Sequence, residues 1–175
     1  MTESLELPPA ARLDAFTPAH LAEILGDGPD PFGVGFTGLT WLPKEEHFGI
    51  RLDGRLVAHA GLRRLPVCLG DTETEVIGVG GVAVAPELRG RGLARRAVAA
   101  ALAHARTMGP RHGLLFCRPP LVALYARLGW REITEDVWVE QPAGPVRMPL
   151  PSLWTPLHDG AEWPPGTVRL RSLPM

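Results

Sequence analysis

Hydrophobic positions along the chain change their period several times, and each change marks an element. Thr17-Pro18 followed by Leu21, Ile24 and Leu25 has helical spacing, with a capping residue, a first-turn proline and Gly26 as a stop. Residues 26–46, rich in Gly, Pro and Asp, read as a loop with room for one short helix. The period then falls to two. Phe48, Ile50 and Leu52 alternate up to Asp53-Gly54, a strong hairpin signal, and the return strand runs from Leu56 through Leu62 towards Cys68. Gly70-Asp71 turns the chain into a third strand, Val76 to Val84, which completes an antiparallel meander. Gly80-Gly81 inside that strand predicts a bulge, or close approach by another backbone or a ligand.

Beyond Pro86 the spacing becomes helical again. From Gly92 to Met108, Leu93, Ala97, Ala101 and Ala105 lie four apart, and Gly109-Pro110 closes the helix. Gly113 to Phe116 is a short apolar strand. Pro119-Pro120 opens another helix with Leu121, Leu124, Tyr125 and Leu128 on one face and Gly129 at its end. Trp130 to Val139 alternates as one strand, residues 141–166 with seven prolines read as a long ordered loop, and Thr167 to Leu173 is a final strand. Residues 1–17 form a lead-in in which Leu5 and Leu7 are stopped by Pro8-Pro9. The pattern predicts one α/β domain over residues 1–175, with a mixed sheet.

Composition narrows the function classes. At 175 residues, 45% apolar and 21% charged, the chain is one globular domain and not a disordered one. Its 20 glycines and 19 prolines follow no repeat and mark turns. The apolar stretch Ala97–Ala103 lies between Arg96 and His104, far short of the roughly 20 residues that span a membrane. Glu3 and Glu6, with no early basic residue, are wrong for a secretory leader, so a cytoplasmic protein is expected. Cys68 and Cys117 form no CxxC or Cys/His cluster, so two buried free thiols and no metal are expected.

Charge is uneven. Residues 1–50 carry a net −6, residues 51–85 balance, residues 86–131 carry +8 from nine arginines against Glu87, and residues 132–175 carry −3. This points to an anionic ligand near the third segment. Asp27, Asp30, Glu45 and Glu46 are candidates for an acidic mouth that admits a cation, or are simply solvated. Lys44 is the only lysine among 18 basic residues, a bias that reads as base composition. Aromatic residues are only 6% and no stacking pattern accompanies the arginines, which excludes an RNA-binding surface from the leading readings.

The most informative run is Val82 to Ala94, VAVAPELRGRGLA, in which a strand ends and Arg89-Gly90-Arg91-Gly92 lead into a helix. Glycine turns let backbone amides converge on an anion, and the first-turn amides of a helix have no internal acceptor. A diphosphate suits such a cradle. The lysine and hydroxyl of a Walker loop are absent, as is GxGxxG, so neither nucleotide hydrolysis nor a dinucleotide fold is indicated. By itself the run reads equally well as an anion cradle or as a turn that needs positive φ.

This run resembles the acyl-CoA signature Q/R-x-x-G-x-G/A of the GNAT family of N-acetyltransferases, met here by Arg89, Gly92 and Ala94. Gly113 to Trp130, ending in LYARLGW, is similar to the family's second region, and the two together cover residues 47–139. The resemblance implies a mixed, mostly antiparallel sheet flanked by helices, with a splayed central strand, and acetyl-CoA as co-substrate. It implies that the backbone of Val82, Ala83 and Val84 pairs with pantetheine, and that Arg89, Gly90, Arg91, Gly92, Leu93 and Ala94 face the pyrophosphate. It implies that Tyr125, the only tyrosine, protonates the departing thiolate; the alternative is a core tyrosine with a satisfied hydroxyl.

A narrower likeness is to the aminoglycoside 2′-N-acetyltransferases, through LVAHAGLRRLPV, VGGVAVAPELRGRGLA and GTVRLRSLPM. Those enzymes carry a glutamate where this chain has Gly80, and continue past the last strand, where this chain stops at Met175. The proton acceptor is therefore left open among His59, Glu75, Asp136, a water chain and the carboxylate of Met175. The expectation is acetyl transfer to the primary amine of a small cationic acceptor, in a chain able to form a homodimer. The alternative is a CoA-binding or sensor module of the same fold without catalysis.

Overall fold

The computed structural model describes residues 6–175; Leu5 and the acidic Glu3 lie outside the described residues. Among the described residues three helices and ten strands follow one another: β1 (Ala11–Leu13), α1 (Pro18–Leu25), β2 (Glu46–Leu52), β3 (Arg55–Leu69), β4 (Thr72–Val84), α2 (Leu93–Ala105), β5 (His112–Phe116), α3 (Val122–Arg127), β6 (Arg131–Glu132), β7 (Val137–Val139), β8 (Val146–Arg147), β9 (Ser152–Pro156) and β10 (Val168–Leu170). Short 3-10 turns at Gly35–Thr37, Pro86–Leu88 and Pro119–Leu121 punctuate the loops.

Local chemistry sets the boundaries that the sequence predicts. At α1 the Thr17 side chain accepts from His20 N, and the His20 ring accepts from Thr17 N, closing a capping box. Asp53 and Gly54 both take positive φ, 51° and 80°, the primed turn that matches strand twist between β2 and β3. β3 is the spine of the sheet. Along one edge it pairs with β4, and along the other it pairs first with β2, through residues 55–62, and then with β10, through residues 67–69. All pairings are antiparallel except β4 with β5 and β10 with β7.

Two expectations are corrected. The strand expected over Trp130–Val139 is two, because β6 pairs with β9 at one end of the sheet while β7 pairs with β10 towards the other. Residues 141–166 are not one loop: they contain β8, and β9 lies between β5 and β6 with Ser152–Thr155 buried. Its flanking prolines, Pro149, Pro151 and Pro156, disguise it; Pro156 sits at the strand end, where a missing N–H costs no interior ladder bond. β1 is an added edge strand on β2, and α2 ends three residues before Met108.

Alternation sends side chains to two cores. Leu62, Ile77, Val79, Leu115 and Leu153 pack with Leu93, Ala97, Ala101 and Ala105 of α2 on one face. Leu65, Val67, Val76 and Leu114 pack with Val168 and Leu170 on the other. Both cysteines are free, Cys117 buried and Cys68 half-buried.

What matters for a site is the seam between β4 and β5. Only Ile77↔Gly113 and Gly78↔Leu114 pair there, after which the strands diverge. The splayed central strand implied by the resemblance is present.

A crevice between β4 and β5 as the candidate functional site

The bulge predicted at Gly80-Gly81 is what shapes the open edge of β4. His59 pairs with Ala83 and Gly61 with Gly80, so Gly81 and Val82 stand opposite the single residue Ala60. Gly81 holds φ +60°, which a side chain would oppose. His59, fully buried, fixes this geometry. Its Nδ1 lies 2.7 Å from the Gly81 carbonyl, which can only accept, so Nδ1 carries the proton. Nε2 then accepts from His47 Nδ1 at 3.0 Å. Phe16 stacks on the ring with centroids 3.6 Å apart. The carbonyl and N–H of a trans peptide point opposite ways. Holding Gly81 O towards β3 therefore turns the Val82 N–H to the edge that β5 has left.

Burial pushes the His59 pKa down to about 4, opposed by the bond to Gly81. Both ring nitrogens are committed, so His59 positions the bulge and is not a proton acceptor for a ligand. Histidine in the unfolded chain takes up a proton below about pH 6.5, while folded His59 does not until about 4. Between these values the unfolded state binds more protons, so stability falls as pH is lowered through the window. His47 and His112, both held below the usual histidine range by burial, act in the same direction. Urea midpoints measured from pH 7 to pH 4.5 are expected to decline, and His59→Gln to lessen the slope by up to about 1.4 kcal/mol per pH unit. An unchanged slope would show that His59 titrates normally.

Two adjoining cavities, of about 300 and 380 Å³, occupy the splay and share Phe32, Val82, Arg118, Leu121 and Tyr125. The larger opens on the N-terminus of α2. Gly90 and Gly92 take φ +81° and +79°, and no side chain caps the helix, so its first amides lie free beside Arg89 and Arg95. An arginine bond to an anion is worth about 1.5–3 kcal/mol, more than the 0.3–1 kcal/mol of the helix dipole, so the arginines dominate. Of the residues expected here, Val82, Ala83, Val84, Arg89, Gly90, Gly92, Leu93 and Ala94 line this cavity; Arg91 is exposed and does not.

Tyr125 lines both cavities and packs edge-on against Trp130, centroids 6.3 Å apart. Burial, and the neighbouring Cys117 thiol, push its pKa above the usual phenol range, so it stays protonated. Burial raises Cys117 itself to about 11.

The smaller cavity adds groups that sequence reasoning did not select: Lys44, Trp41, Phe116 and Arg118. Among the described residues no Asp or Glu side chain lines either cavity. The expected acidic mouth is engaged elsewhere. Asp30 accepts from Val34 N and Gly35 N at 3.1 and 2.9 Å, Glu45 pairs with Arg63, Glu46 pairs with Arg12 and His104, and Asp27 is exposed. Glu75 and Asp136, named as proton acceptors, pair with Arg64 and Arg147. Met175 of that group reaches the crevice wall, its side chain against Gly78 and its main-chain oxygen beside Gly80.

A family model described as the acetyltransferase (GNAT) family matches residues 15–130. Among solved structures the chain is similar to the GNAT family N-acetyltransferase YhbS of Escherichia coli in complex with CoA, at 19% identity over 93% of this chain and 90% of that one, TM-score 0.61. It is similar to a GNAT family acetyltransferase of Brucella melitensis in complex with acetyl-CoA, at 19% identity over 91% and 94%, TM-score 0.52. It is also similar to N-acetylglutamate synthase of Neisseria gonorrhoeae complexed with coenzyme A and N-acetyl-glutamate, at 18% identity over 85% of this chain and 35% of that one, TM-score 0.58. No curated protein sequence matches the chain.

Proposed function

The chain belongs to the acetyltransferase (GNAT) family, and from that premise we propose that it transfers an acetyl group from acetyl-CoA to the primary amine of a small acceptor, within a single domain. One observation carries the reading: the free edge of β4, its bulge and the uncapped start of α2 all open on the same crevice.

Each end of that crevice fits one part of the donor. Arg89, Arg95 and the amides from Gly90 to Ala94 suit a diphosphate. The unpaired backbone of Val82, Ala83 and Val84 suits the amides of an extended pantetheine arm, which dock like a strand. The Val82 N–H is placed to polarise a thioester carbonyl, and holding donor and acceptor together supplies the remaining advantage. The amine attacks the thioester carbon, the C–S bond breaks, and Tyr125 gives its proton to the sulfur. The burial that raises the phenol's pKa also raises the proton affinity of a thiolate formed beside it, so the proton passes to sulfur as the C–S bond breaks, and the phenoxide then recovers the proton lost by the amine.

On the acceptor's charge, the crevice supports an amine that enters neutral or bears an anionic group. Lys44 and Arg118 line the acceptor side, and among the described residues no carboxylate side chain is there to hold the cation that the charge of residues 1–50 suggests. An aminoglycoside would have to find its anionic contacts outside this lining.

Thermal unfolding tests the reading before any acceptor is known. Acetyl-CoA at about 100 times its Kd is expected to stabilise by about 2.7 kcal/mol, raising the midpoint by about 5–10 °C, with ATP as the phosphate control. No shift at millimolar acetyl-CoA would remove the donor, and with it the proposal. A shift then justifies an amine panel followed by thiol release, comparing neutral, carboxylate-bearing and polycationic amines.

A further inference from the structure

The crevice contains an amine of its own. Lys44 enters from the loop before β2, and its stem lies across the cross-strand glycine pair Gly61 and Gly80 of β3 and β4. A Cβ at Gly61 would stand 2.5 Å from Lys44 Cγ, and one at Gly80 would stand 2.6 Å from Cε and 3.3 Å from Nζ. The two glycines thus leave a slot for this side chain, and any other residue at either position would crowd it. The slot delivers the amine end beside Gly80 and Gly81, into the cavity that Val82 and Tyr125 also line. Among the described residues no carboxylate pairs with it.

The surroundings loosen the amine's hold on its proton. Desolvation in the wall, and the Arg63 guanidinium of β3, push the Lys44 pKa down to about 8. The other polar, titratable or charged groups around it are His47 of β2, His59 of β3, Cys117 and Arg118 before α3, Tyr125 of α3, the Met175 main-chain oxygen beside Gly80, and Glu45, whose carboxylate pairs with Arg63; none forms an ion pair with the ammonium. At pH 7 roughly a tenth of the amine is therefore neutral, against well under a hundredth for an exposed lysine. A neutral primary amine is the nucleophile that acetyl transfer requires.

We propose that Lys44 is itself an acyl acceptor, taking an acetyl group from the thioester held in the same crevice. The Nζ–carbonyl carbon bond forms and the carbon–sulfur bond breaks. The electron pair leaves with sulfur, and the proton shed by the amine ends on the thiol, so the products are Nε-acetyl-Lys44 and free CoA. Confinement of both reactants to one cavity provides the effective concentration for the step. The modified side chain has lost its charge and extends further into the space an external acceptor would occupy, so self-acetylation lowers turnover with other amines. The inference rests on acetyl-CoA binding in this crevice.

The test needs no acceptor. The purified full chain is incubated with acetyl-CoA alone and followed by intact mass and peptide mapping. Because Lys44 is the only lysine, Nε-acetylation is unambiguous. We expect one acetyl group, on Lys44, absent in Lys44→Arg and Lys44→Met, suppressed by excess CoA, and formed faster as pH rises to about 8. The rate should exceed that of the urea-unfolded chain by roughly 10-fold or more. An unmodified Lys44 in protein that acetyl-CoA stabilises thermally would overturn the inference and leave the acyltransferase reading standing. So would acetylation only at Cys117 or the N-terminal amine, or an equal rate in the unfolded chain. Neither stabilisation nor modification would overturn both.

Discussion

Tyr125→Phe is expected to lower acetyl-transfer turnover by roughly 10²–10⁴-fold while the protein keeps its fold and its stabilisation by acetyl-CoA. The exchange removes one hydroxyl and nothing else. The ring's contacts with Trp130 remain, and the hydroxyl makes no hydrogen bond within the described residues, so the core loses no partner. What disappears is the phenolic proton proposed for sulfur; Arg118 also lines both cavities but keeps its guanidinium charged. Cys117 lines the smaller cavity only, so it does not take the phenol's place between the two. The measurement is kcat with a responsive amine, beside the thermal midpoint. Unchanged turnover would assign Tyr125 to the core and leave the thiolate to be protonated by water.

The largest expected stability effect lies in β9. Leu153→Ala should cost about 2–5 kcal/mol and lower the thermal midpoint by roughly 5–15 °C. Leu153 is fully buried, pairs with Leu115 of β5 and Glu132 of β6, and belongs to the core cluster that also holds α2. Truncation there would leave a cavity between central strands. Were residues 141–166 the surface loop that their prolines suggest, the same exchange would cost within about 0.5 kcal/mol, so the midpoint discriminates sharply.

Those two residues also mark the limit of what local sequence could reveal. The helix cap at Thr17, the Asp53-Gly54 turn and the Gly81 bulge were legible because each depends on the backbone preference of one or two residues. The positive-φ turn at Gly90 and Gly92 ahead of α2 was legible for the same reason. β9 was not, because a strand buried on both faces need not alternate, and its partners β5 and β6 lie far off in sequence. Lys44 carried no local signal at all. Its placement arises only when β3 and β4 bring Gly61 and Gly80 together beneath it. Arg118 is similar: nothing but the divergence of β5 from β4 turns it into a lining residue. The acidic loop misled in the opposite way, since charge counted along a segment says nothing about the caps and ion pairs that consume it.

The divergence of β4 and β5 has a consequence for colloidal behaviour as well as for binding. Unpaired strand edges invite extended polypeptides, and proteins usually shield them with charge, proline or a bulge. Here the exposed rim of β4 is recessed inside the molecule. Phe32, Val34, Trp41, Arg118, Leu121 and Tyr125 line the cavities it faces. Such a trench has room for a thin, unbranched thread with amide groups and no side chains, but the side chains of a neighbouring chain's strand would collide with this lining. The steric filter that admits a slender donor thus also guards against edge-to-edge aggregation.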